Sequence, residues 1–143
     1  MRVLVADDDV HVRSALRLLL EQEPDVQVVG ESTAADELVG EIDRTHPAVV
    51  LFDWELPGLR SNGLLTQLRM TIPGLRMIAM SGRPEQRVDA LRAGVDAFVC
   101  KGDAPETLLG AVRALAEAVA SYKQSDQQPV SDVSGPESLK VVK

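Results

Sequence analysis

The sequence of 143 residues has few aromatic residues, one cysteine and no long apolar run. Only four residues are aromatic, so the 45% of hydrophobic residues must build a core from Leu, Val, Ile and Ala. The single cysteine, Cys100, excludes an internal disulfide, and two separated histidines do not give the spacing of a zinc site. No window approaches the roughly 18 apolar residues of a membrane-spanning helix.

Basic residues are also scarce relative to acidic ones. The chain has 15 Lys and Arg against 22 Asp and Glu, for a net charge of −7. Such a surface repels nucleic acid and anionic membranes, so we expect this chain to bind neither directly. The opening segment MRVLVADDD lacks the features of a signal peptide. These observations together predict a cytoplasmic protein.

Short apolar segments alternate five times with stretches of helical periodicity. Strands are predicted at residues 2–6, 26–31, 48–52, 76–80 and 97–100, and helices at residues 10–22, 34–45, 62–71, 84–93 and 104–122. The strand segments VLVA, AVVLF and MIAM are apolar nearly throughout, which is typical of strands covered on both faces. The (βα)5 order predicts an α/β fold, a doubly wound parallel five-stranded sheet with helices on both faces.

The composition changes after Tyr122. Residues 124–143 are rich in Ser, Asp, Gln and Pro, and their few apolar residues show no helical period. We therefore predict one domain over residues 1–122, followed by a flexible tail or linker stub over residues 123–143. A short ordered element around residues 139–142 is the alternative for the tail.

Polar side chains follow four of the five predicted strands. The first strand is followed by Asp7, Asp8 and Asp9, the third by Asp53, the fourth by Ser81 and the fifth by Lys101. Because the carboxyl ends of parallel strands meet at one edge of a sheet, we expect these groups to lie close together. Taken singly, Asp9 is an N-cap candidate for the first helix, and Ser81 is a candidate turn residue. Ser32 and Thr33 are N-cap candidates for the second helix.

The predicted cluster of carboxylates favours a divalent cation. Neighbouring carboxylates repel one another, and a cation relieves that repulsion. Carboxylates, a backbone carbonyl and waters are ligands that Mg²⁺ prefers. A carboxylate beside Mg²⁺ can attack a phosphoryl group and form an aspartyl phosphate. The metal, Lys101 and the Ser81 hydroxyl with a nearby N–H would then each neutralise one phosphoryl oxygen.

The segments VLVADDD, VVLFDWELPG, MIAMSG and AFVCK resemble the motifs of response-regulator receiver domains, the CheY-like family. The spacings agree as well, with 45 residues from Asp8 to Asp53, 28 from Asp53 to Ser81 and 20 from Ser81 to Lys101. The resemblance covers about residues 1–122. The segments VVGES and KGDAPETLLGAVRAL are most similar to receivers of the NarL/FixJ class. The resemblance to receiver domains implies strand order 2-1-3-4-5. It also implies a role in two-component phosphorelay signalling and not that of an enzyme with a separate substrate.

The resemblance also implies a role for each acidic position. Asp53 matches the phosphoacceptor and is also a ligand of Mg²⁺. Asp8 matches the direct metal ligand, while Asp7 acts on the metal indirectly. The main-chain carbonyl of Glu55 matches the third protein ligand, and the Glu55 side chain adds a negative charge beside the site.

Three further positions match the groups that respond to phosphorylation. Lys101 matches the lysine that pairs with Asp53 and then with a phosphoryl oxygen, although Gly102 follows it where many receivers have proline. Ser81 matches the switch hydroxyl, and Phe98 matches the switch aromatic that moves inward. The implied phosphodonor is a sensor histidine kinase, a phosphotransfer protein or a small phosphodonor. The surface that changes comprises the fourth helix, the fifth strand and the fifth helix, for partner binding or dimerisation.

Other families with related motifs fit less well. VVLFD resembles a Walker B strand, but the sequence lacks G-x-x-x-x-G-K-[ST]. A haloacid-dehalogenase-like phosphatase needs a second Asp where Glu55 stands, and a flavodoxin needs a Ser/Thr-rich loop after the first strand. Two alternatives stay open. One is a degenerate receiver that acts as a phosphorylation-independent interaction module, and the other is the receiver part of a longer DNA-binding regulator.

Overall fold

The computed structural model describes residues 1–60 and 63–127, without the side chains of residues 119–127. Strands and helices alternate along this part of the chain. The strands are β1 (Arg2–Ala6), β2 (Gln27–Ser32), β3 (Val49–Asp53), β4 (Arg76–Ser81) and β5 (Ala97–Cys100). The helices are α1 (Val10–Leu20), α2 (Ala35–Thr45), α3 (Leu64–Thr71), α4 (Arg87–Arg92) and α5 (Pro105–Gln127), with a 3-10 turn at Pro84–Gln86.

The five strands form one parallel sheet in the order β2-β1-β3-β4-β5, which confirms the predicted fold. β3 lies at the centre and is buried along its whole length. Its apolar side chains alternate between the two faces of the sheet, as the pleat of a strand requires. The fold therefore has three layers, helix, sheet and helix.

Each face of the sheet has its own core. On one face, Val50 and Phe52 of β3 belong to a cluster that includes residues of α2, α3 and α4. On the other face, Val49 and Leu51 belong to a cluster with residues of α1 and α5. Burying one such side chain stabilises the fold by about 1.5–3 kcal/mol, so a slip of one residue in β3 would lose several of these contributions. This burial fixes the register of β3, in which Asp53 lies at the carboxyl end of the central strand.

The start of α2 differs in its capping from the prediction, whereas the start of α1 agrees with it. Asp9 caps α1 as expected, because its side chain accepts a hydrogen bond of 2.8 Å from the His11 N–H. Ser32, expected as a cap candidate for α2, is instead the buried last residue of β2. Thr33 contacts the side chain of Glu37 through both its N–H and its hydroxyl. Ala34 is the N-cap of α2 and makes no side-chain capping bond, so neither predicted hydroxyl caps this helix.

The last two helices differ from the prediction in their bounds. The helix predicted at residues 84–93 begins as the 3-10 turn and becomes α-helical only at Arg87. It ends before Gly94, whose φ of 102° suits a glycine after a helix. α5 continues to Gln127, five residues beyond the predicted end at Tyr122. The rest of the predicted tail, including residues 139–142, lies outside the described residues.

Within the described ranges, none of the helices combines the length and the apolar character needed to cross a membrane.

Candidate functional site

Three carboxylates meet at the carboxyl edge of the sheet. Asp7 and Asp8 follow β1, and Asp53 ends the neighbouring strand β3. One carboxylate oxygen from each lies within 4.8 Å of the other two. Asp7 and Asp53 are only 2% and 6% exposed, whereas Asp8 is exposed. The structure thus brings together the three positions that the sequence predicted to cluster.

Both carboxylate oxygens of Asp7 already contact protein donors. Its Oδ1 accepts a hydrogen bond of 2.9 Å from the Asp9 N–H, and its Oδ2 lies 2.8 Å from Lys101 Nζ. Arg13 fixes the same turn by donating to the Asp7 main-chain carbonyl at 2.7 Å. Because Asp7 is held from several sides, the exposed carboxylate of Asp8 is the freer of the two to bind a cation. The indirect role of Asp7 toward a metal stays a prediction.

Asp53 is oriented by contacts on each of its carboxylate oxygens. Oδ1 accepts a hydrogen bond of 3.0 Å from the Glu55 N–H, and Oδ2 lies 3.3 Å from Lys101 Nζ. Burial raises the pKa of Asp53 above its ordinary value, and the contacts with Glu55 and Lys101 offset only part of that rise. A carboxylate with a raised pKa is more basic and hence a better nucleophile when ionised.

Lys101 brings a positive charge to the cluster from the end of β5. Burial alone would lower the pKa of Lys101, but its hydrogen bond with Asp7 and the charge of Asp53 raise it above its ordinary value. The ammonium therefore stays charged in this site. One ammonium against three carboxylates leaves an excess of formal negative charge, which favours a second cation.

The donor set fits Mg²⁺. The ion binds oxygen at about 2.0–2.1 Å, so ligands on opposite sides of one ion are about 4 Å apart. One carboxylate oxygen from each of Asp7, Asp8 and Asp53 lies within 4.8 Å of the other two, a bound that includes this spacing, and Asp8 is exposed to solvent that could supply water ligands. Glu55 lies in the turn after Asp53, and the role of its carbonyl as a ligand stays a prediction.

The hydroxyl of Ser81 lies within a network that we did not predict from the sequence. Ser81 ends β4 and is fully buried, and its main-chain carbonyl accepts a bond of 2.8 Å from the Lys101 N–H. Its hydroxyl accepts a bond of 3.0 Å from the Arg83 N–H and lies 3.4 Å from both carboxylate oxygens of Glu55. The signal available in the sequence was that Glu55 and Arg83 both stand two positions past a strand-end site residue.

Two aromatic residues near the site are each covered by an arginine. Phe98 of β5 is 5% exposed, and the Arg87 guanidinium lies 5.0 Å from its ring centroid. The ring is thus already buried in this structure, and its inward movement on phosphorylation stays a prediction. Trp54, which follows Asp53, is buried below Arg60 and donates a hydrogen bond of 3.1 Å to Gln86. Sequence reasoning missed both arginine contacts, because they depend on how α4 packs beside β5 and on the conformation of the loop after β3.

Residues 3–113 match the family model described as the response regulator receiver domain. The chain belongs to the response-regulator receiver family. This receiver is 30% identical to the nitrate/nitrite response regulator protein NarL of Escherichia coli K12 over 112 residues. That match covers 77% of the receiver and 52% of NarL. The receiver spans about half the length of the curated relatives that it matches first.

Solved structures agree with this membership. One is the isolated REC domain of RcsB from Salmonella enterica serovar Typhimurium in the presence of phosphomimetic BeF3−. It is 28% identical with a TM-score of 0.73, over 82% of this receiver and 88% of that chain. Another is a LuxR-family two-component response regulator from Aurantimonas sp. SI85-9A1. It is 28% identical with a TM-score of 0.74, over 81% and 85% of the two chains. Receivers of two-component systems are in general signalling domains, and they bind Mg²⁺ through acidic residues.

Proposed function

We propose that this receiver accepts a phosphoryl group on Asp53 in a Mg²⁺-dependent reaction. The observation that carries the proposal is the position of Asp53, a buried carboxylate within 4.8 Å of two further aspartates and 3.3 Å from Lys101. The Asp53 carboxylate would attack the phosphorus atom, and the bond from phosphorus to the donor's nitrogen or oxygen would break. An imidazole leaving group takes up a proton from solvent, whereas acetate leaves as the anion, and the product is an aspartyl phosphate.

Charge neutralisation would come from groups that already surround Asp53. When bound, Mg²⁺ would neutralise charge on the transferring oxygens. Asp8, Asp53 and the main-chain carbonyl of Glu55 would hold it, with Asp7 acting through water. Lys101 would bind a second phosphoryl oxygen, and the Ser81 hydroxyl a third. The implied donors are a sensor histidine kinase, a phosphotransfer protein or a small molecule such as acetyl phosphate.

The signal would leave through Ser81 and the elements beyond it. The main-chain carbonyl of Ser81 accepts a hydrogen bond from the Lys101 N–H, so a shift at the end of β4 would also move the end of β5. The Arg87 guanidinium of α4 lies over the Phe98 ring of β5, and this contact would couple a movement of β5 to α4. We propose that α4, β5 and α5 form the surface used for partner binding or dimerisation.

Intact-mass spectrometry with acetyl phosphate tests the proposal. In the presence of Mg²⁺, we expect one phosphoryl group that is stable to acid and labile to base. Chelation of Mg²⁺ with EDTA should prevent the modification. A protein that gains no phosphoryl group from acetyl phosphate or from a cognate kinase in Mg²⁺ would instead be the phosphorylation-independent interaction module.

A second candidate function concerns the wider protein. The relatives that match first have names of transcriptional regulators or response regulators, and the receiver spans 52% of both YhcZ of Bacillus subtilis and NarL. We therefore also propose that this receiver regulates a DNA-binding domain of a longer protein. Reading the gene beyond the codon for Lys143 tests this directly. An open reading frame that encodes a helix-turn-helix domain supports the proposal, and a stop codon there contradicts it.

A further inference from the structure

Glu55 and Arg83 form an ion pair between the two loops that flank the proposed phosphoryl position. Arg83 Nε and Nη2 lie 3.1 and 3.0 Å from the same oxygen, Glu55 Oε2. Glu55 follows β3 and Arg83 follows β4, and these strands are neighbours in the sheet. The ion pair therefore links the loop beyond Asp53 to the loop beyond Ser81.

The ion pair places a carboxylate against the Ser81 hydroxyl. Both Glu55 carboxylate oxygens lie 3.4 Å from Ser81 Oγ, and Ser81 Oγ accepts a shorter bond from the Arg83 N–H. A hydroxyl has a single proton to donate. Ser81 consequently cannot donate to Glu55 and to a phosphoryl oxygen at the same time.

We propose that Glu55 and Arg83 form a latch on Ser81, which a phosphoryl group on Asp53 must open. This inference rests on the proposed function of Asp53. Arg83 holds the Glu55 carboxylate beside the hydroxyl, and Glu55 accepts a long hydrogen bond from the Ser81 hydroxyl. A phosphoryl group would bring about −1.5 to −2 charges to Asp53, repelling Glu55 and competing for the same proton. Glu55 and Arg83 are thus positioning residues that oppose the phosphoryl-bound arrangement through Ser81.

A simple charge effect makes a different prediction. If Glu55 acted only by repelling an anion, its removal would help anion binding whether or not Ser81 had a hydroxyl. Arg83 would then have the opposite effect, since it carries the opposite charge. The latch instead predicts that removing the Glu55 side chain and removing the Arg83 side chain both strengthen anion binding. Both effects require the Ser81 hydroxyl.

Titration with beryllofluoride and Mg²⁺ distinguishes these accounts. The fluorescence of Trp54, the only tryptophan and the neighbour of Asp53, reports binding. We expect Glu55→Ala and Arg83→Ala each to lower the dissociation constant about two- to fivefold, the range of an exposed ion pair. Arg83→Lys, which keeps the charge, should restore the affinity of the parent. Glu85→Ala, which removes an exposed acid from the adjacent 3-10 turn, should have a smaller effect.

The deciding measurement combines these changes with Ser81→Ala. In that background the latch predicts that Glu55→Ala and Arg83→Ala no longer alter the affinity. An effect of equal size with and without the hydroxyl, or weaker binding in Arg83→Ala, would overturn the latch. If the parent binds beryllofluoride and the coupling to Ser81 is absent, only the latch fails. If the parent does not bind beryllofluoride, the proposed function fails and the latch fails with it.

Both side chains are suited to substitution. Glu55 and Arg83 are 35% and 56% exposed, so truncating either leaves no cavity in the core. Thermal unfolding of each variant should stay close to that of the parent. A change in affinity that depends on Ser81 therefore cannot come from loss of the fold.

Discussion

Lys101 donates a hydrogen bond of 2.8 Å to Asp7, a residue 94 positions earlier in the chain. The distance from the same ammonium to Asp53 is longer, at 3.3 Å. Lys101 therefore bridges the two buried carboxylates and is closer to Asp7 than to the proposed phosphoacceptor. The ammonium occupies the same negative environment that would attract a metal ion.

Replacement of this lysine should strengthen metal binding. Lys101→Met removes the cation that offsets Asp7 and Asp53, so their charge acts more fully on Mg²⁺. We expect the dissociation constant for Mg²⁺ to fall by about threefold or more, measured by titration calorimetry without phosphodonor. Arg92→Met, an exposed charge at the end of α4, is the matched control and should leave the affinity near that of the parent. Unchanged or weaker Mg²⁺ binding in Lys101→Met would contradict the bridging role.

Asp8 and Asp9 are adjacent acids with different predicted roles, and substitution separates them. Asp8→Ala removes the exposed carboxylate of the cluster, so we expect Mg²⁺ affinity to fall about tenfold or more while the metal-free fold keeps its stability. Asp9→Ala removes the cap of α1, so we expect a loss of about 1 kcal/mol in the free energy of unfolding. Mg²⁺ titration and urea unfolding of both variants test the assignment. An Asp9→Ala protein with the larger loss of Mg²⁺ affinity would reverse it.

A pH dependence of stability follows from Glu31 of β2. The side chain accepts hydrogen bonds from Arg17 and Arg13, and the Arg17 contact is the main reason that the pKa of Glu31 lies below its ordinary value of 4.5. Because the folded-state pKa is lowered, Glu31 stabilises the fold fully above about pH 4.5. This contribution is lost as the pH falls through the folded-state pKa. Glu31→Gln should therefore cost about 1 kcal/mol at pH 7 and progressively less at lower pH.

Urea unfolding at neutral and acidic pH measures this effect. The exposed Glu117 of α5 offers a control, since Glu117→Gln makes the same chemical change away from Arg13 and Arg17. We expect little difference between Glu117→Gln and the parent at either pH. A stability loss in Glu31→Gln that is as large in acid as at pH 7 would show that the carboxylate charge is not the cause.

The arrangement of the site was largely predictable, because strand ends meet at one edge of a parallel sheet. The apolar segments located β1, β3, β4 and β5 closely, so the polar residues that follow them had to be neighbours. The closer approach of Lys101 to Asp7 than to Asp53 was not predictable in this way. β5 and β1 are separated by two strands, and only the length of a lysine side chain lets the contact form.

The remaining differences have local physical causes. Arg83 reaches Glu55 because β3 and β4 pair with Asp53 opposite Met80, and this register is not visible in the sequence of either loop. Thr33 was predicted as a helix cap from its residue type, but its N–H and its hydroxyl both donate to the Glu37 side chain, and Ala34 is the N-cap. Local propensity identified the helices, while contacts between elements decided which side chains complete their ends.

The central claim is that Asp53 carries the phosphoryl group. After reaction with acetyl phosphate and Mg²⁺, reduction with borohydride converts an aspartyl phosphate to homoserine, and peptide mass spectrometry locates the converted residue. We predict conversion at Asp53, none at Asp7 or Asp8, and none in Asp53→Asn treated in parallel. Homoserine at Asp7 or Asp8, or phosphorylation that continues undiminished in Asp53→Asn, would contradict the account.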